Sequence, residues 1–129
     1  MGQQQYLIDT NALIDYLAQR LPVAGMEFMN TIIDVIPNVS VITKIEVLGF
    51  DAPEEHYQLL VQFMNDAAVL ELSNNVVEAS INIRKNYKIK LPDAIIAATA
   101  MVNDLVVISR NVSDFKNIKN LKLINPHNL

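Results

Sequence analysis

Five short apolar runs, each stopped by polar residues and separated by segments of helical spacing, constrain this chain more than any other feature. The runs are Tyr6-Leu7-Ile8, Val39-Ser40-Val41-Ile42, Val69-Leu70-Glu71-Leu72, Leu105-Val106-Val107-Ile108 and Leu121-Lys122-Leu123-Ile124. Runs this short and this apolar fit strands buried on both faces. Helical spacing is expected over Ala12–Gln19 and Val23–Ile33, from a Thr43 cap to about Phe50, and from Asp51 to about Asn65. It recurs from about Asn75 to Tyr87 behind a Ser73 cap, and over Leu91–Val102, where Pro92 and Asp93 suit a helix start. A short turn or helix carries Asp114-Phe115. Strands alternating with helices define an α/β chain, expected to form a three-layer α/β/α sandwich around a largely parallel sheet of about five strands. At 129 residues and 51% hydrophobic content, the chain is expected to fold as a single domain over 1–129 with one sizeable core.

Composition removes several chemistries. There is no Cys, so a disulfide framework, a zinc–thiolate site and a cysteine nucleophile are excluded. The net charge of −4 argues against a nucleic-acid partner, but it is unevenly spread. Residues 1–83 hold two basic and eleven acidic residues; residues 84–129 hold eight basic and three acidic ones. Such a split reads either as a solvated basic face or as a surface for an acidic partner. The N-terminus, Met-Gly-Gln-Gln-Gln, has no basic n-region or apolar h-region, and no apolar run is long enough to span a bilayer, so a cytoplasmic protein with no membrane association is expected.

In parallel α/β sheets, sites form outside the carboxyl ends of the strands. Asp9 directly follows the first strand, Glu46 lies four residues past the second, Asp114 lies six past the fourth, and Asp93 opens the helix that feeds the fourth. Each has an ordinary reading as well. Asp9 can simply end a strand, Glu46 can be the N3 partner of a Thr43 capping box, Asp93 can complement a helix start, and Asp114 can be a turn acid or N-cap. Their joint placement in apolar contexts favours convergence on one rim. Clustered carboxylates repel one another and require a counter-cation. Hard oxygen ligands without Cys or a nearby His select Mg²⁺ or Mn²⁺ over zinc. Such an ion leaves positions for a phosphate oxygen and a water, the requirements of in-line displacement at phosphorus.

Four segments, in this order, resemble the PIN domain family: Tyr6-Leu7-Ile8-Asp9-Thr10-Asn11-Ala12-Leu13-Ile14-Asp15, Ile45-Glu46-Val47, Leu91-Pro92-Asp93-Ala94-Ile95-Ile96-Ala97-Ala98-Thr99-Ala100, and Leu105-Val106-Val107-Ile108-Ser109-Arg110-Asn111-Val112-Ser113-Asp114-Phe115. Within the family the chain is most similar to the VapC-type toxins of type II toxin–antitoxin modules. The resemblance implies a Mg²⁺- or Mn²⁺-dependent endoribonuclease, often a homodimer, neutralised by a partner antitoxin. By the same resemblance, Asp9, Glu46 and Asp93 form the acidic triad that holds the metal. Thr10 and Asn11 support the first acid, and Ser109 hydrogen-bonds within the site. The fourth acid is left open between two positions. Many relatives have Asp where this chain has Asn111, whereas those with an Arg-Asn-x-x-Asp-Phe pattern use the later Asp, here Asp114.

The basic residues Lys88, Lys90 and Arg110 flank these segments and are candidates for binding an RNA backbone. Asp15, His56 and His127 fall outside this chemistry; Asp15 is expected to be solvated. Met26, Met29 and Met64 have the spacing of core residues. Two other functions fit less of the sequence. A phosphatase of the haloacid dehalogenase type would use Asp9 as a nucleophile, but it needs a second Asp where this chain has Asn11. A catalytically silent PIN-like module that binds RNA or protein would have no use for the complete acidic set.

Overall fold

The computed structural model describes residues 4–129. In chain order the elements are β1 (Tyr6–Ile8), α1 (Thr10–Leu17), α2 (Val23–Ile33), β2 (Asn38–Ser40), α3 (Val41–Leu48), α4 (Glu54–Asp66), β3 (Ala68–Leu70), α5 (Asn74–Asn86), α6 (Leu91–Val102), β4 (Val106–Ile108), α7 (Val112–Phe115), β5 (Leu123–Ile124) and a 3₁₀ turn over Pro126–Asn128. The five strands form one sheet in the order β3-β2-β1-β4-β5, and every pairing is parallel. This is the expected α/β architecture.

Side chains alternate across the pleat and divide the core in two. Leu7 and its register partner Val107 point to one face, where Val76 and Ile83 of α5, Ala94–Ala100 of α6 and Phe115 pack. Ile8 and its partner Ile108 point to the other, against Ala12, Leu13, Met29, Val47 and Met64 from α1 to α4. Both faces of the sheet are therefore covered, as parallel sheets require. Seven consecutive residues of α6, Ala94 to Ala100, are buried. The helix is enclosed on all sides, and its alanines allow neighbouring backbones to approach closely.

The strand order reverses beside β1. The chain runs outward through β2 and β3 on one side and returns to add β4 and β5 on the other. The crevice at such a switch point, beyond the carboxyl ends of β1 and β4, is where α/β folds place ligands. Asp9 and Ser109 occupy those two ends, and the Asp9 N–H donates to the Ile108 carbonyl at 2.9 Å.

Several boundaries differ from the sequence expectation. The second strand stops at Ser40, and Val41-Ile42 are already helical. Ser40, not Thr43, caps α3, its Oγ accepting from the Ile42 N–H at 3.1 Å. The capping-box reading of Glu46 therefore fails. The third strand covers Ala68–Leu70 instead of reaching Leu72, and α1 begins at Thr10 with Asp9 as its N-cap. Among the described residues, no helix is long and apolar enough to cross a membrane. The reading of Met1, Gly2 and Gln3 as free of a targeting signal lies outside the described residues.

The closing 3₁₀ turn lies against α2 at Gly25. A Cβ there would overlap the Pro126 carbonyl oxygen. Alanine normally favours a helix interior over glycine by about 1 kcal/mol. Gly25→Ala is nevertheless expected to destabilise the protein, by about 1–3 kcal/mol, because the clash involves backbone and cannot relax by a rotamer change. A urea-unfolding midpoint checks this; an unchanged or raised midpoint would show that the turn yields freely.

Candidate active site

Asp9 is 3% exposed, and both its oxygens are held. The Thr10 N–H donates to Oδ1 at 2.8 Å. Ser109 Oγ donates to Oδ2 at 2.8 Å, and Asn11 Nδ2 donates to the same oxygen at 3.1 Å. Burial pushes its carboxyl above the usual range and outweighs the lowering by these hydrogen bonds, with the Glu46 charge adding to the rise. Asp9 thus both ends β1 and caps α1, with its carboxylate fixed in place.

Glu46 projects from the second turn of α3 and is exposed. Thr10 Oγ1 donates to its Oε1 at 2.6 Å and lies 3.2 Å from Thr43 Oγ1. A hydroxyl has one proton; with Thr10 donating to Glu46, Thr43 is left to donate to Thr10. Thr43 is fully buried and belongs to the support of the site, a role that its sequence position as a supposed cap concealed.

Asp93 sits in the first turn of α6 and is half-buried. Its pKa is raised to about 6, first by burial, then by the charges of Asp9, Asp114 and Glu46 in that order, with Lys90 acting against them. The four acids named from the sequence therefore share one electrostatic neighbourhood. Asp114 is exposed on α7, with its N–H on the Asn111 carbonyl. Asn111 donates its N–H to Ser109 Oγ at 3.0 Å, and its side chain makes no capping bond to α7. Ser109 thus gathers Asp9, Asn11 and Asn111 around one hydroxyl.

Among the described residues, no three acid or imidazole side chains stand close enough to form a complete metal cage. The donor set suits an ion that needs none: Mg²⁺ binds through one or two carboxylates and keeps several waters. The mutual repulsion concentrated on Asp93 is what such a cation would relieve.

Two outcomes differ from expectation. Asp15 is not solvated: it is 2% exposed, with Arg110 Nη1 at 3.1 and 3.2 Å from its two oxygens and His127 Nε2 at 2.9 Å from Oδ2. His127, which lies outside every sequence motif, thereby joins the surroundings of the site. Lys88 and Lys90 are exposed, as a substrate surface requires. His56 is exposed on α4.

A five-stranded parallel α/β domain with acids at its topological switch point defines a class of proteins in which the comparisons place the chain. The family model for the PIN domain matches residues 6–121. A chain of a toxin–antitoxin complex from Klebsiella pneumoniae is 30% identical and superposes with a TM-score of 0.75, over 95% of this chain and 98% of that one. A chain of DNA-bound VapBC from Salmonella typhimurium is 22% identical with a TM-score of 0.80, over 96% and 99% of the two chains. VapBC2 from Rickettsia felis, bound to a DNA fragment from its promoter, gives 20% and 0.78, over 95% and 98%. No curated protein sequence matches the chain. The chain belongs to the PIN domain family.

Proposed function

We propose that this protein is a metal-dependent endoribonuclease, the toxin of a toxin–antitoxin pair, which hydrolyses RNA phosphodiester bonds. The observation that carries the reading is the geometry around the buried Asp9, held by Ser109, Asn11 and the Thr10 N–H with Glu46 on the Thr10 hydroxyl. After burial, the charges of Asp9, Asp114 and Glu46 raise the pKa of the nearby Asp93, and a divalent cation would offset them. Of Asp9, Glu46, Asp93 and Asp114, one or two would bind Mg²⁺ or Mn²⁺ directly and the others through its waters. When bound, the ion supplies Lewis-acid stabilisation of charge at phosphorus and makes water more acidic.

The chain's own residues prepare the rest. Ser109, Asn11 and the Thr10 N–H fix the rotamer of Asp9, and Thr10 Oγ1 fixes Glu46. Asn111 borders the site through Ser109 and is available to orient water. The exposed Lys88 and Lys90, of which Lys90 acts on Asp93, would attract the phosphate backbone. Arg110 engages Asp15 through Nη1 alone, and the remaining donors of its half-exposed guanidinium can join them. The likeness to chains of toxin–antitoxin complexes supports a cognate antitoxin as partner. A homodimer and a cytoplasmic location complete the reading.

The test is cleavage of labelled RNA by the purified chain. Cleavage is expected with Mg²⁺ or Mn²⁺, none with chelator, and Asp9→Asn should lose at least about 100-fold in rate. Cleavage indifferent to chelation, or full activity in Asp9→Asn, would refute the proposal.

A further inference from the structure

Asp15 carries a buried charge that none of the roles above uses. It lies four residues after Asn11, so the two side chains share one face of α1. Both reach the same residue, Arg110. Asn11 Oδ1 accepts from the Arg110 backbone N–H at 2.8 Å, while the Asp15 carboxylate accepts from Arg110 Nη1 with both oxygens. One helix face thus holds Arg110 by its backbone and by its side chain.

The backbone hold has a consequence at the site. With Oδ1 taken up by the Arg110 N–H, the Asn11 amide must turn Nδ2 toward Asp9 Oδ2 at 3.1 Å and Ser109 Oγ at 3.3 Å. The reverse orientation would set a carbonyl oxygen against a buried carboxylate. On the far side, His127 Nε2 meets Asp15 Oδ2, which ties the closing 3₁₀ turn to the same group.

We propose that Asp15 is a positioning residue: through Arg110 it holds the Ser109–Asn111 turn so that Asn11 presents its amide protons to Asp9. Its consequence for catalysis rests on the ribonuclease reading; its geometric content does not. A buried charge kept only for stability is weakly favoured, since a well-packed apolar pair often serves as well. A buried carboxylate that pins Arg110, the residue next to Ser109, has a reason to persist.

The experiment uses the full chain and Asp15→Asn. The readouts are the Asn11 side-chain ¹H–¹⁵N resonances without metal, Mn²⁺ affinity by calorimetry, and kcat and KM for RNA. Displaced Asn11 resonances, Mn²⁺ affinity about 10-fold weaker and kcat down by about 10-fold at constant KM are expected. Unmoved Asn11 resonances and unchanged Mn²⁺ affinity in the folded variant would overturn the proposal. Should Asp15→Asn fail to fold, Arg110→Gln, which removes a side chain 53% exposed, gives the Asn11 resonances and the Mn²⁺ affinity as readouts. If the wild-type chain binds no Mn²⁺ and cleaves no RNA, the ribonuclease reading falls, and the Asn11 resonances alone decide the positioning.

Discussion

Asp93→Asn is expected to make the metal-free protein more stable near neutral pH while removing divalent-ion binding and RNA cleavage. The folded Asp93 carboxyl titrates at about 6, above the ordinary 3.8. Below the lower value both folded and unfolded chains are protonated there, and the group costs nothing. Between the two values the unfolded chain gives up its proton first, so stability falls as pH rises and the loss is complete above the folded value. At this half-buried position, discounted for solvent screening, the loss is about 1 kcal/mol. Asparagine carries no charge and escapes it, so Tm should rise by about 3–5 °C. Mn²⁺ should stabilise the wild type in a concentration-dependent way and leave the variant unmoved. Thermal melts with chelator and with Mn²⁺, repeated across the acid range, read both effects. A variant no more stable than wild type, with the same pH slope, would show that neither burial nor the neighbouring charges burden Asp93.

Phe115→Ala is expected to be among the most damaging single truncations, at about 3–5 kcal/mol. Phe115 is 1% exposed and packs with α6 on the α5–α6 side of the sheet. Native domains hold only about 5–15 kcal/mol, so this substitution takes a large share. It also has a local effect. The four-residue helix α7 cannot stand alone, and Phe115 is its buried residue, directly after Asp114. Asp114 should therefore lose its fixed position even while most molecules remain folded, weakening divalent-ion binding. Phe115→Leu, which fills most of the volume, should cost less than about 1.5 kcal/mol and spare the site. Urea midpoints at constant m-value, paired with calorimetry, separate the two effects. A loss below 1 kcal/mol for the alanine variant would mean that α7 is held by something else.

The strands were legible because a strand buried on both faces reads as an uninterrupted apolar run, and Val106-Val107-Ile108 is one. The same signal misplaced the end of the second strand. Val39-Ser40-Val41-Ile42 looks continuous, but α3 lies on the sheet, and its first residues are as apolar as the strand before it. That two-residue error made Thr43 look like a cap and Glu46 like its partner. The helix starts earlier, which carries Glu46 into the second turn and toward Thr10. Asp9, Asp93 and Asp114 were legible because each stands at or in the first turn of a helix. Asp15 was not. Its partners Arg110 and His127 lie 95 and 112 residues away, and no local pattern reports so distant a charge.

The central place of β1 sets the order in which the candidate site can assemble. Tyr6, Leu7 and Ile8 pair with Val106, Val107 and Ile108, across a hundred residues of intervening chain. A growing polypeptide that has emerged only as far as α6 already contains Asp9, Glu46 and Asp93. It has β2 on one side of β1 but still lacks β4 on the other, the Ser109 hydroxyl that seats the Asp9 carboxylate, and Asp114. Non-local strand pairing of this kind is slow and comes late. During synthesis, therefore, the acids travel as a dispersed set, and the candidate site assembles only after the residues beyond α6, about the last fifth of the chain, have folded back.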